Sequence, residues 1–315
     1  MNKSPSTDPT ATADAILVPA HNRRDLTLEC LRALAADGVI VWATVIVIDD
    51  GSTDGTAEAL ESEFPAVEII RGDGNWWWGG AIRRGMERAL SRGAARIFWL
   101  NDDCRPPPGG LRALRDFVAR GDAVAWIEAR TPRGWSYGGH RRSAWRMRRC
   151  SAEEEKSGEI DTFSGNCVAL PRSWIGRAGL PDDAAFPHGL ADLDYGLRLK
   201  RAGAPLRPLP GIVATSHEPG AAANERWLTS PRSMRAIWRD FSSPKSFLYF
   251  PAWRRFALRH WGPLRGWAVF VLPYARWAAI AVLRKGSPSL ARALAKRRGL
   301  RAQRVNAESV ASPVK

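Results

Sequence analysis

Four short apolar runs, residues 15–20, 44–48, 67–70 and 97–100, each stop at polar, turn-forming residues and alternate with stretches of helical spacing. Strands that alternate with helices of about ten to fifteen residues specify βαβ units and a mainly parallel sheet flanked by helices. Such a sheet delivers the carboxyl ends of its strands to one ligand crevice. The residues delivered here are His21 and Asn22, Asp49 and Asp50, Gly74 and Asn75, and Asp102 and Asp103. Convergence from four separate segments is harder to ascribe to turn chemistry than any one of them alone.

The fourth run, within AARIFWLNDDCR, ends in two adjacent carboxylates, which a core strand does not need because a desolvated, unpaired charge is costly. Two readings stand side by side. Asp102 and Asp103 offer oxygen ligands to a divalent cation, with water and phosphate completing the coordination. Alternatively, they open the turn that Pro106, Pro107 and Pro108 continue.

At 315 residues the chain has length for one large or two smaller domains, and its 45% apolar and 25% charged content is that of a globular protein. Charge is distributed unevenly. Lys plus Arg balance Asp plus Glu over residues 1–215, 28 against 28, whereas residues 216–315 carry 19 against 4. That basic region interleaves Trp227, Trp238, Trp253, Trp261, Trp267 and Trp277 with arginines. Aromatic and cationic residues on amphipathic helices suit an anionic membrane surface. Nucleic-acid binding uses the same residue types, and an ordinary core is a third account. The apolar content of residues 267–283 favours the membrane, so nucleic acid is not the expected partner. No stretch reaches the roughly 18 uninterrupted apolar residues of a membrane span; residues 266–283 are interrupted by Pro273 and Arg276.

Cys30, Cys104, Cys150 and Cys167 lie far apart without metal-ligand spacing, which points to reduced thiols and a cytoplasmic compartment. Residues 1–13 read as a disordered leader. Ser52 or Thr53 can cap the helix after the second run. Residues 130–160, rich in Arg, Gly and Trp, break the alternation and read as an insertion or a flexible excursion over the crevice, with a pattern that specifies neither helix nor strand. A strand pattern resumes at Thr162, a helix follows around Tyr195, Leu197 and Leu199 with a basic stop, and a last strand spans residues 211–215. Asp192 falls in that helix's first turn, where the dipole favours a negative charge.

The segments ILVPAHNRRDLTLECLRAL, VIVIDDGSTDGTAE, DGNWWWGGAIRRG, FWLNDD, FSGNCVALPRS and PHGLADLDYGLRLKRAG, in that order, resemble the family 2 glycosyltransferases, inverting enzymes of GT-A type. Within them the chain looks most like bacterial rhamnosyltransferase-like members. The resemblance covers roughly residues 14–217, leaving residues 221–315 as a helical basic region. It implies a nucleotide-diphosphate sugar donor, a dTDP- or UDP-sugar with dTDP-rhamnose foremost, and a divalent cation, Mn2+ or Mg2+. It implies Asp103 as the cation's carboxylate, with Asp102 near the ribose or the same ion and His217 completing the metal site. Asp49 matches the base-reading residue, with Asp50 adjacent; Pro19, His21 and Arg24 match the loop lining the nucleotide. Asn75 and Arg83 belong to the third βα turn, where a cation serves the pyrophosphate. Gly165 and Asn166 match the strand beneath the donor sugar, His188 matches a residue near the sugars, and Trp78 is placed to stack on a sugar or to pack. The family's Glu-Asp base pair reads Ala191-Asp192 here, so Asp192 takes the role of base with Asp194 as substitute.

These implications make the chain an enzyme that transfers a sugar to a lipid-linked or growing surface polysaccharide, peripheral on the inner face of the membrane. A nucleotidyltransferase is the rival enzyme, though PAHNRRD lacks the glycine-rich loop such enzymes place after the first strand. A non-catalytic adaptor is the other rival, and the carboxylates Asp49, Asp103 and Asp192 argue against it.

Overall fold

Alternate residues of the first strand, β1 (Asp14–Ala20), enter two different cores: Ile16 and Val18 pack on one face of the sheet, Ala15 and Leu17 on the other. The same division runs through β2 (Thr44–Asp49), with Val45 and Val47 opposite Ile46 and Ile48. A strand buried on both faces needs helices on both faces. One face is covered by α1 (Arg24–Ala36), the short α2 (Val39–Trp42) and α3 (Thr56–Glu63). After β3 (Glu68–Arg71) the chain crosses to the other face as α4 (Trp77–Ser91), whose Ala81, Ile82, Met86 and Ala89 are buried there. The computed structural model describes residues 14–132, 136–217 and 233–287.

The chain continues through β4 (Arg96–Leu100), the two-residue β5 (Cys104–Arg105), α5 (Gly110–Gly121) and β6 (Val124–Arg130). The described part of residues 130–160, for which the sequence pattern specifies neither helix nor strand, contains β7 (Ser136–Tyr137), β8 (Gly139–Arg142), β9 (Met147–Arg149) and α6 (Ala152–Ser157). The glutamate run explains the helix. Glu154 and Ser151 form a reciprocal cap, and Glu154 also pairs with Arg141 at 2.7 Å and with Arg148. Next come β10 (Thr162–Phe163), β11 (Cys167–Pro171), α7 (Arg172–Ala178), α8 (Ala191–Arg201) and β12 (Leu206–Ser216).

The main sheet runs β3-β2-β1-β4-β11-β6-β12-β5, with β7 on β6; β10, β8 and β9 form a second sheet. The first four strands are mutually parallel, so their carboxyl ends share an edge. β11 enters antiparallel beside β4, and β12, parallel to β6, ends antiparallel against β5. Those two pairings carry residues 164–166 and 217 to the same edge as residues 101–103.

One local expectation is corrected. The helix after β2 starts from Gly55, and Asp54, not Ser52 or Thr53, accepts the Thr56 N–H at 3.1 Å. Pro273, which breaks the apolar run of residues 266–283 in sequence, lies inside the last described helix. In the second compact unit, residues 219–315, α9 (Met234–Asp240), α10 (Phe250–Trp261) and α11 (Pro263–Gly286) follow one another, and α11 is continuous through Pro273. The leader, Trp227 and residues 288–315 lie outside the described residues. All four cysteines are free thiols.

At the amino end of β1 the fully buried Asp14 carboxylate joins two elements: Arg96 Nε of β4 lies 2.5 Å from one oxygen and Arg115 Nε of α5 lies 2.7 Å from the other. Asp14→Ala leaves both guanidiniums facing each other. We expect a loss of about 2 kcal/mol, less than for a fully buried pair because both arginines reach water, read as a lower urea midpoint at unchanged slope.

Candidate active site at the carboxyl edge of the sheet

The loops after β1 and β2 are stitched to each other. Asn22, in the left-handed region at φ 51°, donates its N–H to Ser52 Oγ at 2.8 Å and accepts the Thr53 N–H on its side-chain oxygen at 2.8 Å. His21 Nδ1 lies 2.6 Å from the carbonyl of Asp50. Pro19 sits in register with Ile48 one step before this edge. Asp49 is 3% exposed; one oxygen accepts the Ser52 N–H at 3.1 Å, and its other oxygen has no donor among the described residues.

Asp50 is built into the scaffold. Its Oδ1 accepts the N–H of Gly74 at 3.0 Å and of Trp76 at 3.2 Å, and its Oδ2 accepts the N–H of Trp77 at 2.7 Å. Both oxygens are thus occupied by the β3–α4 loop, which corrects Asp50 from a nucleotide contact to the residue that shapes that loop. Trp77 holds φ 55°, a conformation costing roughly 1 kcal/mol in an ordinary residue, and the Asp50 bond holds it there. Asn75 is exposed, with its N–H on Asp73 Oδ1 at 2.9 Å.

The acidic pair after β4 divides its labour. Asp102 is 1% exposed, with Arg23 Nη1 2.9 Å from one oxygen and Thr27 Oγ donating to the other at 3.2 Å. Burial pushes it up to about 6 against the opposing pull of Arg23. It anchors α1 and offers no oxygen to a ribose or an ion. Asp103 receives Arg23 Nη2 on Oδ2 at 2.9 Å, while its Oδ1 is buried with no donor among the described residues. The β5–β12 pairing sets Ser216 opposite Cys104, so the His217 N–H donates to the Asp103 carbonyl at 3.3 Å and His217 Nδ1 lies 3.4 Å from that same oxygen. Among the described residues no three His, Cys, Asp or Glu side chains form a cluster, and the contact between Asp103 and His217 runs through the Asp103 backbone carbonyl. Arg24, by contrast, is exposed and contributes only its backbone N–H, to Asp54 Oδ2 at 3.0 Å. Arg23, which the sequence did not single out, is the arginine on the carboxylates. Only its position as the residue before α1 distinguishes it from its neighbour.

Asp192 stands in the first turn of α8, half-buried, its oxygens held by the N–H groups of Gly165 at 2.9 Å and Leu193 at 2.8 Å. Burial raises it above the usual carboxylate range while these two donors oppose the shift. The turn before it holds Leu190 at φ 72°. Among the described residues, three of the four non-glycine residues with positive φ, Asn22, Trp77 and Leu190, therefore flank this crevice, the usual location of stored backbone strain. Asp194 points the other way. It is 1% exposed and pairs with Arg198 at 3.7 Å, which excludes it as a substitute base for an incoming substrate.

The floor between the two halves is aromatic. Trp78 donates its indole N–H to Asn101 Oδ1 at 2.9 Å and meets Trp99 edge-on at 5.5 Å, while Asn101 donates its N–H to the carbonyl of the 8%-exposed Asn166 at 2.9 Å. Gly165 is required here, because a Cβ on it would stand 2.8 Å from the Trp78 ring and 3.0 Å from Asp192 Cβ. His188 meets Trp77 edge-on at 6.1 Å, and its loop is drawn onto α4 by the Gly79 N–H donating to the Pro187 carbonyl at 2.7 Å. Arg83 is corrected: its Nη1 donates to the Pro181 carbonyl at 2.9 Å and its Nε pairs with Glu87 at 3.0 Å, so its guanidinium fastens the loop before His188.

The loop held by Asp50 yields a test. Asp50→Ala removes the acceptor of three N–H groups at once, and we expect a stability loss of roughly 2–4 kcal/mol with relaxation of Trp77, seen as a lower melting temperature and a changed near-UV circular dichroism.

Comparison with known proteins fits this geometry. Residues 15–177 match the family model described as Glycosyl transferase family 2. The N-acetylglucosaminyl-diphospho-decaprenol L-rhamnosyltransferase of Mycobacterium tuberculosis is 27% identical over 193 residues, 51% of this chain and 62% of that protein. Escherichia coli chondroitin synthase is 24% identical over 67% of this chain and 35% of its own length. The chain therefore spans less than two thirds of these curated relatives. Among solved structures, the Pyrobaculum calidifontis mannosyltransferase PcManGT in complex with GDP-Man and Mn2+ superposes with a TM-score of 0.52 at 17% identity, covering 96% of this chain and 84% of that one. GalNAc-T7 with UDP, GalNAc and Mn2+ gives 0.54 at 12% identity, covering 83% and 55%. The sheet is thus that of the GT-A glycosyltransferases, and the chain belongs to glycosyl transferase family 2.

Proposed function

We propose that the chain is a metal-assisted, inverting glycosyltransferase that moves a sugar from a nucleotide-diphosphate donor to a hydroxyl of a lipid-linked or growing surface polysaccharide. The observation carrying this reading is the pairing of Asp103 and Asp192. One has a buried oxygen without a donor, the other is a half-buried carboxylate aligned by two N–H groups, and Trp78, Asn101 and Gly165 link them across one floor. Rhamnose on a dTDP carrier is the donor favoured by likeness to the mycobacterial rhamnosyltransferase, whose name also describes a lipid-linked acceptor. Work on such an acceptor places the chain at the anionic inner face of the membrane.

Asp49, with one oxygen uncommitted, receives an N–H of the nucleotide base, beside the loop of His21. Asp103 Oδ1 and His217 fit a divalent cation as two of its ligands, the diphosphate and water supplying the rest. Such a cation, when bound, supplies Lewis-acid stabilisation of the leaving diphosphate. Arg23, already against Asp102 and Asp103, adds positive charge next to the same phosphates. Asp192 accepts the proton of the acceptor hydroxyl as its oxygen forms the new bond to the sugar's anomeric carbon. The bond from that carbon to the phosphate oxygen breaks on the opposite side, and its electron pair leaves with the nucleoside diphosphate.

Asp192→Asn should lower transfer by roughly a hundred- to ten-thousand-fold while donor binding, measured calorimetrically, stays unchanged. Because burial raises Asp192 above its ordinary value of 3.8, the basic form is lost as pH falls through that raised value. Activity of the parent should decline on the acid side accordingly, and the Asn variant should lack that limb; normal transfer by the variant would move the base elsewhere. Asp103→Ala should abolish Mn2+ binding seen by electron paramagnetic resonance in the presence of nucleoside diphosphate, with the melting temperature preserved. Retained Mn2+ binding would remove Asp103 from the cation site.

A further inference from the structure

The exposed face of α11 is apolar along its whole length. Leu264 is 90% exposed, Trp267 49%, Val271 50%, Leu272 55% and Val282 73%, with the exposed alanines 268, 275, 278 and 279 between them. At about 100° per residue these positions form one stripe, and Arg265 and Arg276 lie together along one of its flanks. The opposite side of α11 is occupied. Tyr274 stacks on Phe250 at 4.4 Å, Trp277 meets Trp238 at 4.8 Å, and Trp253 donates its indole N–H to the Phe270 carbonyl at 3.2 Å. Most of the tail's described tryptophans are therefore spent on a local core, as an ordinary fold requires. Trp267 and the stripe are not.

The stripe's surroundings are cationic. Residues 233–287 hold ten lysines and arginines against one aspartate. An apolar stripe flanked by arginines within a basic unit complements an anionic lipid surface, with side chains in the acyl boundary and guanidiniums among the headgroups.

By length and composition α11 is also able to cross a bilayer. Its partner helix decides between the two. α10 is locked to α11 at Gly266, where a Cβ would stand 2.7 Å from the Ala257 carbonyl oxygen and 2.8 Å from Leu258 Cα. α10 exposes Arg254, Arg255 and Arg259 on its outer side. A spanning α11 would draw those arginines, together with its own Arg276, into hydrocarbon.

We propose that the α10–α11 hairpin lies in the plane of an anionic membrane surface, docked through the stripe running from Leu264 to Val282, and does not span the bilayer. This deepens the membrane-surface part of the function proposed above and rests on it.

The test uses the full chain with vesicles of phosphatidylcholine containing phosphatidylglycerol and no glycolipid. Nitroxide labels are placed singly at Leu264→Cys, Val271→Cys and Val282→Cys in a Cys150→Ser background, and depth is read from oxygen against nickel-chelate relaxation. In-plane docking gives three equal, shallow depths. A spanning helix would separate the first and last labels by about 27 Å, and a graded series or three water-exposed labels would overturn the proposal. The paired variant Leu264→Glu/Val271→Glu should bind these vesicles roughly tenfold or more weakly with unchanged circular dichroism. Unchanged vesicle binding, or preference for RNA over vesicles in the parent, would also overturn it. Transfer to a water-soluble acceptor is followed in parallel. Failure of the parent to dock on these vesicles, with its transfer intact, rejects the hairpin surface alone, whereas absence of transfer in the parent rejects the enzymatic reading alone.

Discussion

The carboxylate of Asp50 is the fixed point of the crevice. Three backbone N–H groups of the β3–α4 loop converge on its two oxygens, and the conformation of that loop at the start of α4 depends on that convergence. It holds Trp77 in a left-handed conformation, which starts α4 at the angle where Trp78 reaches Asn101 and Gly79 reaches Pro187. Through Asn101 the constraint passes to the turn bearing Asp103, and through Gly165, wedged between Trp78 and Asp192, to the first turn of α8. A charged acceptor of several short hydrogen bonds is among the strongest local anchors a loop can have. It is placed where three loops must be held at once.

A common logic links the acidic residues of the site. Each comes with an acidic partner one or two positions away that is committed to structure; Asp49 and Asp103 keep one oxygen without a donor among the described residues, and Asp192 accepts one N–H on each oxygen. Asp50 holds a loop beside Asp49, Asp102 anchors α1 behind Asp103, and Asp194 pairs with Arg198 behind Asp192. The inward member stabilises the element that carries the outward one. This arrangement explains the aromatic floor as well, since the rings exclude water around carboxylates already supplied with fixed donors.

The same pairs mark how far the sequence could be read. Apolar runs, their parallel order and their shared polar edge were legible, because period-two burial and helix alternation leave a direct imprint on composition. The fold of the catalytic unit and the set of segments lining the crevice followed. Which member of each pair faces outward was not legible, because adjacent residues at a strand's end point to opposite sides and residues two apart on a helix do not share a face. Arg23 was hidden for that reason: only the onset of α1 at Arg24 directs the preceding side chain back across the carboxylates. Arg83 looked available in sequence and is held by the Pro181 carbonyl and Glu87, partners that packing alone brings near. Pro273 breaks the apolar run in sequence, and α11 continues through it with Tyr274 and Trp277 packed on the other helices.

The contact between Asp103 and His217 joins positions 114 residues apart in the chain. It exists only through β5 and β12, the outermost pairing of the main sheet and the last to become available as synthesis proceeds from the amino terminus. A polypeptide still emerging from the ribosome has the parallel strands and their helices before it has β12, so the seam between residues 103 and 217 closes only after that strand has cleared the exit tunnel. The carboxyl edge that gathers residues 101–103 and 164–166 is in this way completed by the pairing made last in the described catalytic unit.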